Sequence, residues 1–403
     1  MAKQPDARSQ PTQPAGATEP AAQPPARTRR PTIQDVARQA GVSVAATGRA
    51  LGGYGYVSEE VRSRVNAAAA ELGYRPNALA RSMITGRSHT IGFVASDIEN
   101  PFFARMLRGI SDTARAQQVG VILTNSDEDV ERERAAVQTL LEKRVDGIIV
   151  APADIAATEH FQSAMDEGTP IVLVDRPVRG LAADLVMTDN LKAAEAAVEY
   201  LINLGHERIA IIASQRPESQ QEIERRLADW TSAPVDGLVR PGVARVLGYY
   251  RALIAANQPV RPRLVRTTTI PSRVRSGPYR AEWAATQTLA VLDGPERATA
   301  IFAADNDMTL GVMTAIRNSE LRAPEDISIL AFDDLDWATV VQPPLSVVAQ
   351  PVYELGTIAA QRLLARIGGD ESEPRAVLLN TRLIERASTA PPPSRLRRAR
   401  RAR

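Results

Sequence analysis

From Thr90 onward the sequence repeats one pattern, in which a short continuous apolar run is followed by a helical stretch. Continuous apolar runs are typical of parallel strands buried on both faces, because helices then cover both sides of the sheet. Strands are predicted at 90–96, 119–125, 147–151, 170–175, 209–213, 300–304 and 327–332. Such a long region exceeds one hydrophobic core, so we expect two doubly wound α/β lobes of parallel strands. The stretches 218–229 and 259–278 interrupt the rhythm and are expected to be surface excursions.

The segment before this region predicts three short helices instead. Thr32, followed three residues later by Asp35, is a capping pattern, and Ser43 is placed to cap a second helix after the turn at Gly41. A third helix is expected to begin at Ser58. Two helices joined by a tight, glycine-containing turn, with a third behind them, predict an all-α helix-turn-helix unit.

Charge is distributed unevenly along the chain, although the net charge is only +2. Residues 31–88 carry seven arginines against four acidic residues, and the segment from Pro391 carries six arginines and no acid. The residues between these segments are acidic overall. A basic front end predicts a polyanionic partner at one end of the molecule. The Pro-rich ends, 1–30 and 391–403, are expected to be disordered, and merely solvated basic tails are the alternative to a binding role for them.

Several function classes are disfavoured by what the sequence lacks. Without cysteine there is no disulfide scaffold, thiolate zinc site or cysteine nucleophile. No long apolar run and no secretion-signal pattern are found, so a cytoplasmic, nucleoid-associated protein is expected. There is no G-x-G-x-x-G after the first strand, no P-loop and no H-E-x-x-H, and the three histidines are scattered. We therefore expect no enzyme activity, no cofactor and no metal.

A series of ordered motifs runs along the chain. The motifs lie at 32–43, 57–60, 72–82, 91–92, 100–103, 145–149, 204–210, 331–334, 343–346 and 350–351. They include Leu-Gly-Tyr-Arg-Pro-Asn at 72–77, Asn-Pro-Phe-Phe at 100–103 and Leu-Gly-His-Glu-Arg-Ile-Ala at 204–210. Together these motifs resemble the LacI/GalR family of bacterial transcription regulators. The resemblance covers about 31–388, except for the stretch near 218–240, which looks like an insertion.

This resemblance implies the domain organisation. A headpiece is expected at 31–75, a hinge helix and linker at 76–88, and an effector-binding and dimerisation core at 89–390 that resembles periplasmic sugar-binding proteins. Lobe 1 is expected at about 89–187 and 323–347. Lobe 2 is expected at about 188–322 and 348–390.

The second helix of a helix-turn-helix enters the major groove with its first residues. Here these are Val44 and Ala45, with Arg49 one turn later. Arg49 can bond a guanine bidentately, a contact worth about 1–3 kcal/mol of discrimination. The family usually reads Thr-Val-Ser-Arg where this chain reads Ala-Thr-Gly-Arg at 46–49, so two hydroxyls that would face phosphates are missing. Base recognition is therefore expected to depend unusually strongly on Arg49. The alternative is that Arg49 is a solvated surface arginine.

The resemblance also implies that a hinge helix orders in the minor groove of DNA. The segment that opens at Asn77 and runs to Met83 is too short to be a stable helix alone, and Met83 stands where the family wedges a leucine between base pairs. Packing of Met83 into the core is the alternative. The DNA-contacting candidates are Thr32, Ser43, Val44, Ala45, Arg49, Asn77, Ala80 and Met83.

Effector binding is implied between the two lobes. Asp175 and Arg176 follow a predicted strand, and ligands of open α/β sheets bind at the carboxyl ends of strands. With the residues implied by family motifs, the candidates are Phe102, Phe103, Asp175, Arg176, Arg245, Tyr279, Asn306 and Trp337. A carboxylate, an amide, guanidinium groups and aromatic rings together suit a sugar or sugar derivative. The alternative for the phenylalanines is a place in the core.

The expected function is that of an effector-controlled transcriptional repressor. Its expected partners are a near-palindromic double-stranded DNA operator, a small-molecule effector and a second copy of the chain, with a tetramer as a further assembly, and no membrane. A transport-type sugar-binding protein without a regulatory role is the alternative, and a nicotinamide enzyme on the same α/β layers is a third reading.

Overall fold

A computed structural model describes residues 31–52, 54–74, 86–215, 225, 239–269 and 277–393. The described residues before position 82 form one compact unit and those after it form another. Among the described residues, no helix is long and apolar enough to cross a membrane.

The first unit contains the three predicted helices, α1 (Ile33–Ala40), α2 (Val44–Gly52) and α3 (Glu59–Leu72). Thr32 and Asp35 form a reciprocal capping box at the start of α1, and Gly41 ends that helix at φ 67°, in the left-handed region. Small apolar side chains from all three helices share one core, in which Val36 and Val65 are completely buried. The predicted helix-turn-helix is confirmed.

The second unit alternates strands and helices. Its elements are β1 (Thr90–Ala95), α4 (Pro101–Ala116), β2 (Gly120–Asn125), α5 (Val130–Glu142), β3 (Ile148–Val150), α6 (Glu159–Asp166), β4 (Ile171–Val174), β5 (Asp184–Thr188), α7 (Asn190–Asn203), β6 (Ile209–Gln215), α8 (Pro241–Ala255), β7 (Val265–Thr269), α9 (Gly277–Asp293), β8 (Ala300–Ala303), α10 (Asn306–Arg317), β9 (Ser328–Phe332), β10 (Ser346–Ala349), α11 (Val352–Ile367), β11 (Ala376–Leu379) and β12 (Arg382–Ile384). All seven predicted strands are present. The segment 259–278 is not only a surface excursion, since it supplies β7.

These strands form two six-stranded sheets, one in each lobe. The first has the order β11-β5-β4-β3-β1-β2 and the second β12-β10-β9-β8-β6-β7. All neighbouring strands are parallel except β12, which runs antiparallel to β10. The expected architecture of two parallel, doubly wound α/β lobes is confirmed.

The expected boundaries of the lobes are wrong in the last third of the core. The segment 323–347, expected in the first lobe, contains β9 and the start of β10. Both strands pair in the second sheet and not in the first. Conversely, α11 packs on the core of the first lobe, and β11 extends the first sheet beside β5. Within 348–390, the end of β10, β12 and the segment after β12 belong to the second lobe. The chain therefore crosses between the lobes after β5, after β10 and after β11.

Close helix packing positions the residues at the carboxyl edge of the second sheet. A Cβ added at Gly248 of α8 would lie 2.8 Å from both Ala194 Cβ and Glu195 N of α7, so only glycine permits this approach. One turn before Gly248 lies Arg245, which thereby reaches the start of α7.

Candidate DNA-binding surface and effector cleft

One face of α2 is turned outward and carries the residues predicted to read DNA. Val44, Ala45 and Arg49 are exposed, whereas Thr47 and Ala50 are buried against the other two helices. The Thr47 hydroxyl donates to Ser43 O at 3.0 Å, so it is used inside the headpiece. Arg49 is the charged side chain on this outward face.

Thr32 and Ser43 have structural roles as helix caps. The Thr32 hydroxyl donates to Asp35 Oδ2 at 2.7 Å, and Ser43 Oγ accepts from Ala46 N at 3.1 Å. Both side chains remain at least partly accessible. The hinge candidates Asn77, Ala80 and Met83 lie outside the described residues.

Arg245 lies at the centre of the cleft edge of the second lobe. It is 7% exposed, its Nε donates to Asn190 Oδ1 at 2.9 Å, and its Nη1 donates to Ala304 O at 2.7 Å. Its guanidinium carbon lies 3.7 Å from the centre of the Phe332 ring. Burial lowers the pKa of Arg245, although Asp333 and Asp175 oppose this shift. The guanidinium is thus held rigidly by groups at the ends of β5, β8 and β9.

Asp175 and Arg176 lie at the facing edge of the first lobe, directly after β4. Asp175 is buried and has a left-handed φ of 66°. Burial raises the pKa of Asp175, and the nearby Arg176 and Arg245 oppose this shift. Arg176 Nη2 donates to Glu128 Oε1 at 2.6 Å. Glu128 was not among the residues predicted from the sequence.

A second cluster of charged side chains lies where β8 leads into α10. Arg280 Nη2 lies 2.9 Å from Asp305 Oδ2, and Arg280 Nε lies 3.1 Å from Asp307 Oδ2. Burial would lower the pKa of Arg280, but Asp305 and Asp307, with Glu128 and Asp97 of the first lobe, raise it above its ordinary value. Burial raises the pKa of Asp307 to about 6.

Two sets of contacts join the lobes directly. Gln350, which follows β10, accepts from Thr188 Oγ1 of the first lobe at 2.6 Å and donates to Asp333 Oδ1 of the second lobe at 2.6 Å. Arg240, at the start of α8, donates to Ala153 O of the first lobe at 3.0 Å. Burial raises the pKa of Asp333, and Arg245 and Gln350 oppose this shift.

The other predicted effector residues differ in accessibility. Phe102 and Phe103 are buried in the core of the first lobe with an edge-to-face ring contact of 5.1 Å, and Phe102 also lines a cavity of about 360 Å³ with Asp333 and Gln350. Tyr279 is 45% exposed in the first turn of α9.

Asn306 and Trp337 lie in the second lobe. Asn306 Oδ1 is buried without a hydrogen-bond partner among the described residues. Trp337 packs half-buried against the core of the second lobe and does not line the cavity.

The missed residues share a position. Glu128, Asn190, Asp305, Asp307, Asp333 and Gln350 all follow the carboxyl end of a strand or begin the next helix. That position alone was a usable signal, because parallel strands bring their carboxyl ends to one edge. Arg280 had no such signal, since α9 follows a stretch with no apolar pattern.

Comparison with known proteins agrees with this architecture. Residues 32–77 match the family described as bacterial regulatory proteins, lacI family. Residues 88–236 match periplasmic binding proteins and sugar binding domain of LacI family, and residues 198–389 match the periplasmic binding protein-like domain.

Relatives align over nearly their whole length. Catabolite control protein A of Priestia megaterium is 32% identical over 358 residues, which cover 89% of this chain and 99% of that protein. The structure of a lac repressor dimer bound to operator and the anti-inducer ONPF has a TM-score of 0.73 at 25% identity, with 90% of this chain and all of that chain covered. A complex of the transcriptional regulator CelR with cellobiose has a TM-score of 0.61 at 28% identity, with 89% and 100% covered. The headpiece, the two-lobed core and these matches show that the chain belongs to the LacI family of bacterial regulatory proteins.

Proposed function

We propose that this protein is a transcriptional repressor whose affinity for its operator is controlled by a polyhydroxylated small molecule held between the two lobes. The observation that carries the proposal is Arg245, a buried guanidinium that faces carboxylates of both lobes. A buried charge needs ordered acceptors, and such a preorganised fork suits ligand hydroxyls.

The headpiece supports the DNA-binding half of the proposal. α2 presents Val44, Ala45 and Arg49 on its outward face, and the helix before it is joined by a tight turn at Gly41. This is the geometry with which a recognition helix enters the major groove. Two headpieces in a twofold homodimer would read the two halves of a near-palindrome.

The charges around the cleft favour an effector without phosphate or carboxylate groups. Each of the three guanidinium groups Arg176, Arg245 and Arg280 already lies near carboxylates, which are Asp97, Glu128, Asp175, Asp305, Asp307 and Asp333. An anionic ligand would therefore gain little from these guanidinium groups. Hydroxyls can donate to the carboxylates and accept from the guanidinium groups, which favours a neutral sugar. The bound cellobiose of the CelR complex is a neutral sugar of this kind.

The alternative is a sugar-binding protein of the transport type. Such a protein uses the lobes but has no need of a headpiece whose recognition helix carries an outward arginine. The capped three-helix unit at the front of the chain favours the regulator.

A thermal-shift screen tests the effector half. Neutral sugars, polyols, purines and sugar phosphates are compared on the full chain. A ligand at 100 times its dissociation constant should stabilise the core by about 2.7 kcal/mol. The proposal expects a neutral sugar or polyol among the positive compounds.

The matched variant is Arg245→Lys, which keeps the positive charge and removes the planar fork. It should bind the same ligand far more weakly. A normal ligand shift in this variant, or a response to sugar phosphates alone, would count against the proposed site.

A further inference from the structure

The ring of Tyr54 lies against the recognition helix, α2. A Cβ added at Gly52 of α2 would lie 2.5 Å from Tyr54 Cδ1, so the Tyr54 ring occupies the space that any other residue would need. A Cβ added at Gly48, one turn earlier, would lie 3.2 Å from the Tyr54 hydroxyl. The two glycines thus form a groove along α2, and the ring of Tyr54 fills it.

This groove lies on the face predicted to meet DNA. Ala45 and Arg49, which flank Gly48 on the helix surface, are both exposed. The Tyr54 hydroxyl therefore lies beside Gly48, on the helix surface that also carries Ala45 and Arg49. Tyr54 is half-buried, and its hydroxyl makes no hydrogen bond to any residue that the structure describes.

The loop that carries Tyr54 also supports Arg49. Gly55 has φ 67°, and a Cβ there would lie 3.0 Å from Arg49 Cδ, so the aliphatic stem of the arginine rests on the backbone of the loop. Gly52 and Gly55 therefore leave room beside the same helix for one phenol, of Tyr54, and one guanidinium, of Arg49.

We infer that Tyr54 contacts DNA through its hydroxyl and supplies the polar group that Gly48 lacks in the second turn of the recognition helix. A phenol can donate to a phosphate oxygen or to an acceptor on a base edge, and a tyrosine fixed by ring packing pays little ordering entropy for that bond. The inference rests on the proposed DNA-binding function.

The test begins with a duplex selected from random DNA by the full-length wild-type chain, and a scrambled duplex of the same composition. Binding of both is measured by fluorescence anisotropy at a fixed salt concentration. Tyr54→Phe removes only the oxygen and keeps the ring that fills the groove. It should weaken binding to the selected duplex by about tenfold or more for a charged phosphate acceptor, and by about twofold to tenfold for a neutral base-edge acceptor. An equal loss on the scrambled duplex assigns the contact to phosphate, and a loss confined to the selected duplex assigns it to a base edge.

Two further variants locate the contact. Tyr74→Phe makes the same chemical change beside the headpiece core and should leave both affinities unchanged. Gly48→Ser combined with Tyr54→Phe places a hydroxyl on the helix itself, in the space that the phenol oxygen has left, and should restore much of the lost affinity. A double variant as weak as Tyr54→Phe would contradict this position for the contact.

The outcome that overturns the inference is unchanged binding by Tyr54→Phe. Arg49→Ala in the same assay separates this from a failure of the proposed function. If Arg49→Ala loses the preference for the selected duplex while Tyr54→Phe does not weaken binding, only the role of Tyr54 is wrong. If the wild-type chain selects no duplex, the DNA-binding proposal itself is wrong.

Discussion

Arg49 and Arg245 have the same side chain but lie in opposite environments, one exposed and one buried. Arg49 is exposed on α2, where water solvates it. Arg245 is buried at the cleft, with its donors directed at Asn190 and Ala304 and its plane against Phe332. Under the proposed function, the first exchanges its water for a base edge. The second is already held in place when the proposed ligand binds, which lowers the entropy lost on binding.

Replacing Arg49 by alanine should abolish selectivity without abolishing DNA binding. The variant loses the bidentate contact to guanine, worth about 1–3 kcal/mol, whereas phosphate contacts of other basic residues remain. The ratio of affinities for selected and scrambled duplexes, measured by anisotropy, should fall by about 5- to 150-fold. Arg62→Ala changes an exposed arginine on α3 and should lower both affinities equally. A preserved ratio in Arg49→Ala would remove Arg49 from base recognition.

Asp307 should make the stability of the core depend on pH. Burial raises the pKa of Asp307 to about 6, from an ordinary value of 3.8, although Arg280 opposes the shift. The folded state therefore binds the proton more tightly than the unfolded state. The contribution of this group to the free energy of unfolding is greatest below about pH 4 and falls as the pH rises through about 6.

Asp307→Asn should remove that decline, because the amide does not titrate. The melting temperature of each protein is measured from pH 4 to pH 7. Asp336→Asn, at an exposed carboxylate, should retain the wild-type dependence. An Asp307→Asn protein with the wild-type decline would show that another group is responsible.

At the scale of elements, glycine at a helix crossing positions the cleft. A Cβ at Gly248 would meet Ala194 and Glu195 of α7 at 2.8 Å, so Gly248→Ala should push α8 away and destabilise the core by about 1–3 kcal/mol. Because Arg245 lies on the same helix, ligand binding should weaken as well. Denaturant unfolding and the thermal shift with ligand measure both effects.

The matched control is Gly120→Ala in β2, where an added Cβ would make only ordinary contacts, the nearest at 3.6 Å. It should change stability by less than about 0.5 kcal/mol. If Gly248→Ala were as stable as Gly120→Ala, the close approach of α7 and α8 would not be what holds Arg245 in place.

The elements also show what could be read from the sequence. The seven strands were predictable because each is an apolar run, and the headpiece helices because their caps are local. The sheet to which β9 and β10 belong was not predictable, because strand pairing depends on tertiary contacts that no local pattern records. β7 was missed because it is a polar edge strand, Val265–Thr269, with one neighbour only.

The site divides in the same way. Asp175, Arg176 and Arg245 could be proposed from strand ends and motif position, and the structure brings all three together with Asn190. The pairing of Arg280 with Asp305 and Asp307 could not be proposed from the sequence, because it joins two helices whose approach is set by packing.

At the scale of the whole molecule, Arg240 connects the two lobes. It is 8% exposed. Its Nη2 donates to Ala153 O at 3.0 Å and lies 3.6 Å from Asp154 Oδ1, both in the first lobe. These contacts stabilise the arrangement in which the lobes face each other. Arg240→Ala should therefore weaken effector binding by about 5- to 150-fold through a shift of the population of that arrangement.

Isothermal calorimetry of the ligand found by the screen measures this change. Arg251→Ala is the control, because Arg251 pairs with Glu195 within the second lobe. It should bind the ligand as the wild-type chain does. Unchanged affinity in Arg240→Ala would mean that this contact does not contribute to lobe closure.

Under the proposed function, a ligand between the lobes controls the affinity of the headpiece for DNA. The most direct measurement is the affinity of the full chain for its selected duplex, with and without a saturating concentration of the ligand found by the screen. We predict a change of about 5- to 150-fold, and the same factor in ligand affinity when DNA is bound, because the coupling is reciprocal. Arg245→Lys should bind the duplex as the wild-type chain does and show no change with ligand. A ligand that stabilises the wild-type core yet leaves the affinity of the chain for the duplex unchanged would contradict control of DNA binding by the ligand.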